Sequence, residues 1–304
     1  MPSRQLETIA QMLRERREQA PPDISFPESR AMFEQMIADF PPPQDVSSNA
    51  VDGGGIPGEW IAADGADSER TIYWLHGGGY CIGSINTHRS LIAGISAASG
   101  ARVLAIDYRL APEHPFPAAV EDAVAGYLWL LSAGVDHARV IIGGDSAGGG
   151  LTVATLVALK ESGKLLPAAA VCISPWTDLA LTGESLVSKA EADPMIAIDG
   201  ITRARDAYIG TSDPRAPLAS PLYADLSGLP PLLIQVGENE VLLDDSTRLA
   251  QRAEAAGLDA TLEVWPEMIH VWHFFAAVLP DGQQAIDRIG DWVRERLGVA
   301  VTAG

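Results

Sequence analysis

The chain has 304 residues, 47% of them hydrophobic and 20% charged, which supplies a large buried core and excludes overall disorder; an α/β protein of this length often stays one globule around one sheet. Forty acidic residues against 21 basic ones leave a net charge of −19, which repels nucleic acid phosphates and anionic lipid and favours neutral or weakly charged substrates. The amino end holds no apolar core of the signal-peptide kind and no later run reaches a membrane span, so a cytoplasmic protein is expected.

In chain order, Leu6, Ile9, Met12 and Leu13 form one apolar stripe among charges, and Met32, Phe33, Met36 and Ile37 form another, each at helical spacing. Pro21-Pro22 and Pro41-Pro42-Pro43 end these segments, so 1–45 reads as a pair of N-terminal helices. Beyond them, runs at 46–51 and 59–63 fit antiparallel edge strands. Short apolar runs at 71–75, 103–106, 140–142, 170–173 and 232–236 then alternate with helical patterns. That alternation predicts an α/β fold, a mostly parallel central sheet with helices on both faces. Cys81 and Cys172 lie among apolar or small neighbours and read as buried free thiols, since two cysteines complete neither a disulfide framework nor a zinc site. The stretch between 174 and 232 is too long for a bare loop in a compact domain. It is expected to carry a helical cap insertion over 177–220, with Asp199 as N-cap of a helix over 200–209 and Pro214, Pro217 and Pro221 at its exit. The core is then 46–176 and 221–304. A last strand at 261–265 offers an edge through which two sheets pair in a homodimer unless charge or a helix covers it. Helical patterns follow at 272–279 and 283–297.

Three places in this frame carry chemistry. Gly144-Asp145-Ser146-Ala147-Gly148 is a G-x-S-x-G directly after an apolar strand and directly before a helical run. A sharp strand-to-helix turn needs small flanking residues and lifts the hydroxyl above the carboxyl ends of the strands, which makes Ser146 a nucleophile. A phosphate loop would need a lysine here and would not place Asp145 against the phosphate. Upstream, His76-Gly77-Gly78-Gly79 follows the strand at 71–75. Its unobstructed amides at Gly78 and Gly79, with that of Ala147, form an oxyanion hole, while His76 reads as a structural hydrogen-bonder. The base must follow the serine in chain order. His270, just after the last strand, fits that role, whereas His273 opens an apolar stretch and reads as packed; His88, His114 and His137 read as surface or structural.

The triad acid is expected after the strand at 232–236, where Glu238, Glu240, Asp244 and Asp245 compete. Asp244 and Asp245 fit N-terminal capping of the next helix and Glu238 a solvated loop. Glu240, before an apolar triplet, is best placed to face His270, with Asp244 the open alternative.

Taken together, His76 to Gly79, Asp107-Tyr108-Arg109-Leu110-Ala111-Pro112-Glu113, Pro115 to Ala119 with Glu121-Asp122, Gly144 to Gly148 and the closing His270 segment resemble the hormone-sensitive lipase family, the bacterial family IV esterases. The resemblance covers essentially the whole chain. It implies an α/β-hydrolase fold with a cap formed partly by the N-terminus, a Ser-acid-His triad, an oxyanion hole at Gly78, Gly79 and Ala147, no cofactor, no metal, and short- to medium-chain carboxylic esters as substrates. Many relatives carry Asp-Pro-Leu where this chain has Glu240-Val241-Leu242, so the acid here is expected to be a glutamate. Arg109 and Glu113 read as an ion pair bracing the loop below the site. A ligand receptor that has lost hydrolysis, or an amidase, would share the scaffold; retention of serine, histidine and glycine donors speaks against the receptor.

Overall fold

In the computed structural model, which describes residues 3–21, 24–38 and 45–298, the chain opens with helices α1 (Arg4–Gln19) and α2 (Phe26–Ala38). Pro22 and Pro41 to Pro43 lie outside the described residues. Ser3 caps α1 through its side chain, and Leu6, Ile9 and Leu13 of the expected stripe are buried. In α2, Ile37 is buried but Met32 is 40% exposed, because the helix presents Phe33 and Met36 inward and turns Met32 away.

The strands β1 (Val46–Asp52), β2 (Pro57–Ala63), β3 (Asp67–Leu75), β4 (Ala101–Ile106), β5 (Val140–Asp145), β6 (Ala169–Ile173), β7 (Leu232–Gly237) and β8 (Ala260–Trp265) form one sheet in the order β1-β2-β4-β3-β5-β6-β7-β8. β2 runs antiparallel to both β1 and β4, and every pairing from β4 to β8 is parallel. The alternation of strand side chains divides the core into two layers. Tyr73, Leu75, Ile142 and Cys172 pack on one face beneath α4 (Ala118–Ser132), α5 (Ala147–Glu161) and α8 (Leu243–Ala255). Ile72, Trp74, Ile141 and Val171 pack on the other with α3 (Ile85–Ser99), α9 (Pro280–Arg296) and α1.

The excursion between β6 and β7 contains α6 (Ser185–Ser188) and α7 (Ile198–Ile209). Asp199 is not the N-cap of α7: the helix starts two residues earlier than that role needs, so Ala197 holds the cap position and Asp199 lies in the first turn. The 272–279 pattern yields only a short 3₁₀ turn, Trp272–Phe275, because Pro280 starts the next helix and leaves no room for a longer one. Among the described residues, no helix is long and apolar enough to cross a membrane.

One feature of the order fixes where a ligand can sit. The chain leaves β3 toward β4 on one side and returns to β5 on the other, while β3 and β5 are themselves paired in parallel. The carboxyl ends of β3 and β5 thus flank a switch point, the usual crevice for ligands in an open α/β sheet.

Candidate active site

Both motifs from the sequence emerge at that crevice. Ser146 follows β5 with φ 52° and ψ −121°, a conformation that a non-glycine residue keeps only when its surroundings impose it. Here α5 begins at once with Ala147, and Ser146 N–H donates to Ile173 O at 2.8 Å. The turn has no space for side chains beside it: a Cβ on Gly148 would lie 2.0 Å from Leu75 O. The amide of Ala147 heads α5, where the helix dipole favours negative charge. After β3, Gly78 and Gly79 adopt φ 116° and 61°, and Cys81 and Ile82 N–H both donate to Gly78 O.

Ser146, His270, Gly78 and Gly79 line one cavity of about 340 Å³. Its remaining wall is largely apolar, with Phe26, Phe33 and Met36 from α2, Ile201 and Ala204 from α7, and Trp176, Met195, Leu242 and Phe274. His270 is buried and its Nδ1 lies 2.8 Å from Glu240 Oε2. The other oxygen of the fully buried Glu240 accepts from Ser174 Oγ at 2.7 Å and Gly237 N–H at 2.6 Å. A carboxylate saturated in this way fixes the imidazole's tautomer and plane. Burial alone would depress the His270 pKa, but the charge and hydrogen bond of Glu240, with Asp193 and Asp145 farther off, raise it above its ordinary value.

A family model for the alpha/beta hydrolase fold matches residues 72–274. An acetyl-hydrolase of Streptomyces hygroscopicus is 50% identical over 257 residues, 84% of each chain. Among solved structures, an esterase from the bacterial hormone-sensitive lipase family superposes with a TM-score of 0.95 at 51% identity, over 98% of this chain and all of that one. EstE5, crystallised and soaked with p-nitrophenyl butyrate, gives 0.94 at 46% identity, over 98% of this chain and 100% of its own. The chain belongs to the hormone-sensitive lipase family of α/β hydrolases.

Within this family member the competing carboxylates serve other neighbours. Asp244 and Asp245 lie in the first turn of α8, yet neither caps it: Leu242 occupies the cap position without a side-chain bond. Asp244 Oδ2 accepts from Ser185 N–H at 2.9 Å, and Asp245 Oδ2 from Thr177 and Asp178 N–H at 2.7 and 2.8 Å. The backbone amides of the 177–185 segment compete better for these carboxylates than the helix end does. Glu238 is exposed and accepts from Glu267 N–H.

Among the other histidines, His76, His137 and His273 make structural contacts. His76 stacks on Tyr108 with centroids 4.2 Å apart, and burial with the nearby His88 pushes its pKa down to about 3. His273 is buried against Gln235 Oε1 at 2.8 Å and burial likewise takes its pKa to about 3. His114 is exposed and His137 meets Leu166 O at 2.8 Å. His88, in contrast, is buried and its Nε2 lies 3.1 Å from Asp145 Oδ2, while Asp145 Oδ1 accepts from Gly77 N–H at 3.2 Å. One carboxylate next to the serine therefore holds the residue next to the glycine donors. Burial would raise the Asp145 pKa, but His88 outweighs it and holds the carboxyl below its usual value.

Arg109 and Glu113 do not pair with each other. Arg109 forks onto Asp122, at 2.7 Å from Nη2 to Oδ1, and reaches Glu121, while Glu113 turns outward to Arg30 of α2 at 2.7 Å. The two side chains leave opposite sides of the loop, so each takes the nearest helix. Cys81 and Cys172 are buried free thiols as expected, and burial pushes Cys81 up to about 12. Sequence reasoning missed the roles of Asp145, Ser174, Asp193 and Arg30, and of the two readings left for His88, surface or structural, the structure gives the second. Of these only Asp145 left a signal, since a charge at the buried end of a strand beside the elbow must have an internal partner.

Proposed function

We propose that this chain is a serine carboxylesterase that cleaves short- to medium-chain acyl esters through a Ser146-His270-Glu240 triad. The observation that carries the reading is the His270 Nδ1 to Glu240 contact of 2.8 Å at the cavity wall that also bears Ser146 in the left-handed region. His270 takes the proton of Ser146 Oγ as the oxygen attacks the ester carbonyl, and the amides of Gly78, Gly79 and Ala147 donate to the tetrahedral oxyanion. Collapse expels the alcohol, protonated by His270, and leaves an acyl-enzyme. A water deprotonated by His270 then releases the acid, and Glu240 stabilises the imidazolium in both halves. No metal or cofactor enters these steps.

In this reading α1, α2 and the 177–220 segment act together as a cap. The apolar wall supports an apolar acyl or alcohol group, and a cavity of about 340 Å³, at the small end of ligand sites, favours short chains over long ones. The acetyl-hydrolase relative and the p-nitrophenyl butyrate soak of EstE5 point the same way.

Nitrophenyl esters of increasing chain length, run beside the matching anilides, test this with the parent and Ser146→Ala. The parent should turn over the short esters fastest, and Ser146→Ala should lose about 10⁴-fold or more while staying folded. A variant within tenfold of the parent would remove Ser146 from the mechanism. Preference for anilides would make the protein an amidase, and binding without turnover a receptor.

A further inference from the structure

The loop bearing Gly78 and Gly79 holds three successive residues at positive φ, 116° at Gly78, 61° at Gly79 and 62° at Tyr80. A tyrosine does not rest in that region unaided, so the loop persists only where neighbours over-determine it. Three supports are in place. Asp145, itself held by His88, accepts from the Gly77 amide. Tyr80 stacks on Tyr208 of α7, centroids 3.8 Å apart. The third comes from the N-terminal helix: Arg30 Nε donates to Cys81 O at 2.8 Å and Nη2 to Ala111 O at 3.0 Å, while both Nη atoms grip the Glu113 carboxylate at 3.0 and 2.7 Å.

The guanidinium therefore spans two loops that are themselves tied, because Ala111 N–H donates to Tyr80 O at 2.9 Å. Cys81 closes the turn whose first carbonyl is that of Gly78, at 3.1 Å from Cys81 N–H. Fixing Cys81 O thus fixes the peptide planes that precede it. α2 adds a second tie one turn farther along, where Glu34 accepts from Ser84 Oγ, the N-cap of α3. Only the planar fork of an arginine reaches two carbonyls and a carboxylate at once.

We propose that Arg30 is a positioning residue for the oxyanion hole, through which helix α2 sets the amides of Gly78 and Gly79. The inference rests on the esterase reading of those amides. It makes the N-terminal helix part of transition-state stabilisation as well as a wall of the substrate cavity. A donor displaced by a fraction of an ångström weakens the bond to the developing oxyanion more than it weakens substrate binding.

The test uses Arg30→Gln and Arg30→Lys in the full chain, with p-nitrophenyl butyrate as substrate and n-butylboronic acid as a tetrahedral analogue. Arg30→Gln should lower kcat about tenfold to a hundredfold with KM little changed, and should weaken the boronate by the same factor. Arg30→Lys, which keeps the charge without the fork, should fall between the parent and Arg30→Gln, and it remains informative if the glutamine variant folds poorly. Hydrogen exchange should quicken at 78–83 in both variants. A lower Tm with kcat and boronate affinity unchanged would reduce Arg30 to a structural tie and overturn the proposal. If the parent hydrolyses no ester, the esterase reading fails by itself. Exchange at 78–83 then still decides the clamp, and unchanged protection there rejects it.

Discussion

Glu240 and Asp244 belong to one loop-to-helix junction, but their carboxylates face different partners, His270 Nδ1 in one case and Ser185 N–H in the other. Glu240→Gln should leave a folded protein with a wrongly held imidazole and cost about 10⁴-fold in turnover. Asp244→Asn should lose at most about 1 kcal/mol of stability with turnover nearly intact, since the amide oxygen still accepts from Ser185 N–H and only the charge is given up. Paired kinetics and melting curves check both, and the reverse pattern would transfer the acid's role to Asp244. The second consequence at this scale concerns pH. Protonated His270 cannot accept the Ser146 proton, so kcat/KM falls as pH drops through its folded pKa, which the buried carboxylates raise above 6.5. Asp193→Asn removes one of those charges and should move the acid limb to lower pH; a stationary limb would show that Asp193 acts on the backbone alone. Glu240 was legible over Glu238 because it directly precedes the apolar triplet Val241 to Leu243. Asp193 was not: its contacts to Met195 and Ile196 N–H are a local turn, but the bond it accepts from Val241 N–H, 48 residues away, arises from tertiary folding that no local spacing encodes.

Among the elements, strands and most helices were legible because burial on one or both faces imposes a period on the sequence. The central strands fall where apolar runs stood and the outer strands β1, β2 and β8 where the sequence offered edge strands, while the 272–279 helix fails because a pattern of apolar residues cannot override the start of α9 at Pro280. Helix α2 shows the limit of this reasoning. Its apolar face announced a partner, whereas nothing in the spacing marked Arg30 and Glu34 on its flank, which hold the loops at Cys81 and Ser84. Deleting residues 1–40 should therefore depress turnover and solubility together, because it uncovers the wall against Phe33 and Met36 and frees the glycine loop at the same time. Activity assays and dye binding to exposed apolar surface check this. A soluble, active truncation with unchanged ester preference would show that α1 and α2 stand apart from the site.

Across the whole molecule, stability is coupled to pH through a group outside the proposed triad. Burial pushes the Asp245 carboxyl up to about 7, against backbone N–H bonds from Thr177 and Asp178 and with the Asp178 charge adding to the rise. The folded state then binds a proton more tightly than the unfolded chain between an ordinary carboxyl value of 3.8 and about 7, so stability falls as pH rises through that window. Asp245→Asn keeps an acceptor without the charge and should flatten that part of the Tm profile; an unaltered slope would assign the loss to other groups. None of this was readable from a carboxylate that looked like a helix cap, since burial is a property of the assembled fold. The meeting of β3 and β5 has a further consequence, for how the protein can change. A Cβ on Gly77 would sit 2.3 Å from Asp145 Oδ2, and one on Gly148 2.0 Å from Leu75 O, so the two turns interlock like a key and its ward. Neither can drift by single substitutions without displacing the other. The walls supplied by α2 and α7 carry no such constraint, and a mutagenesis library selected for new ester preferences should draw its survivors from those walls while leaving both turns untouched.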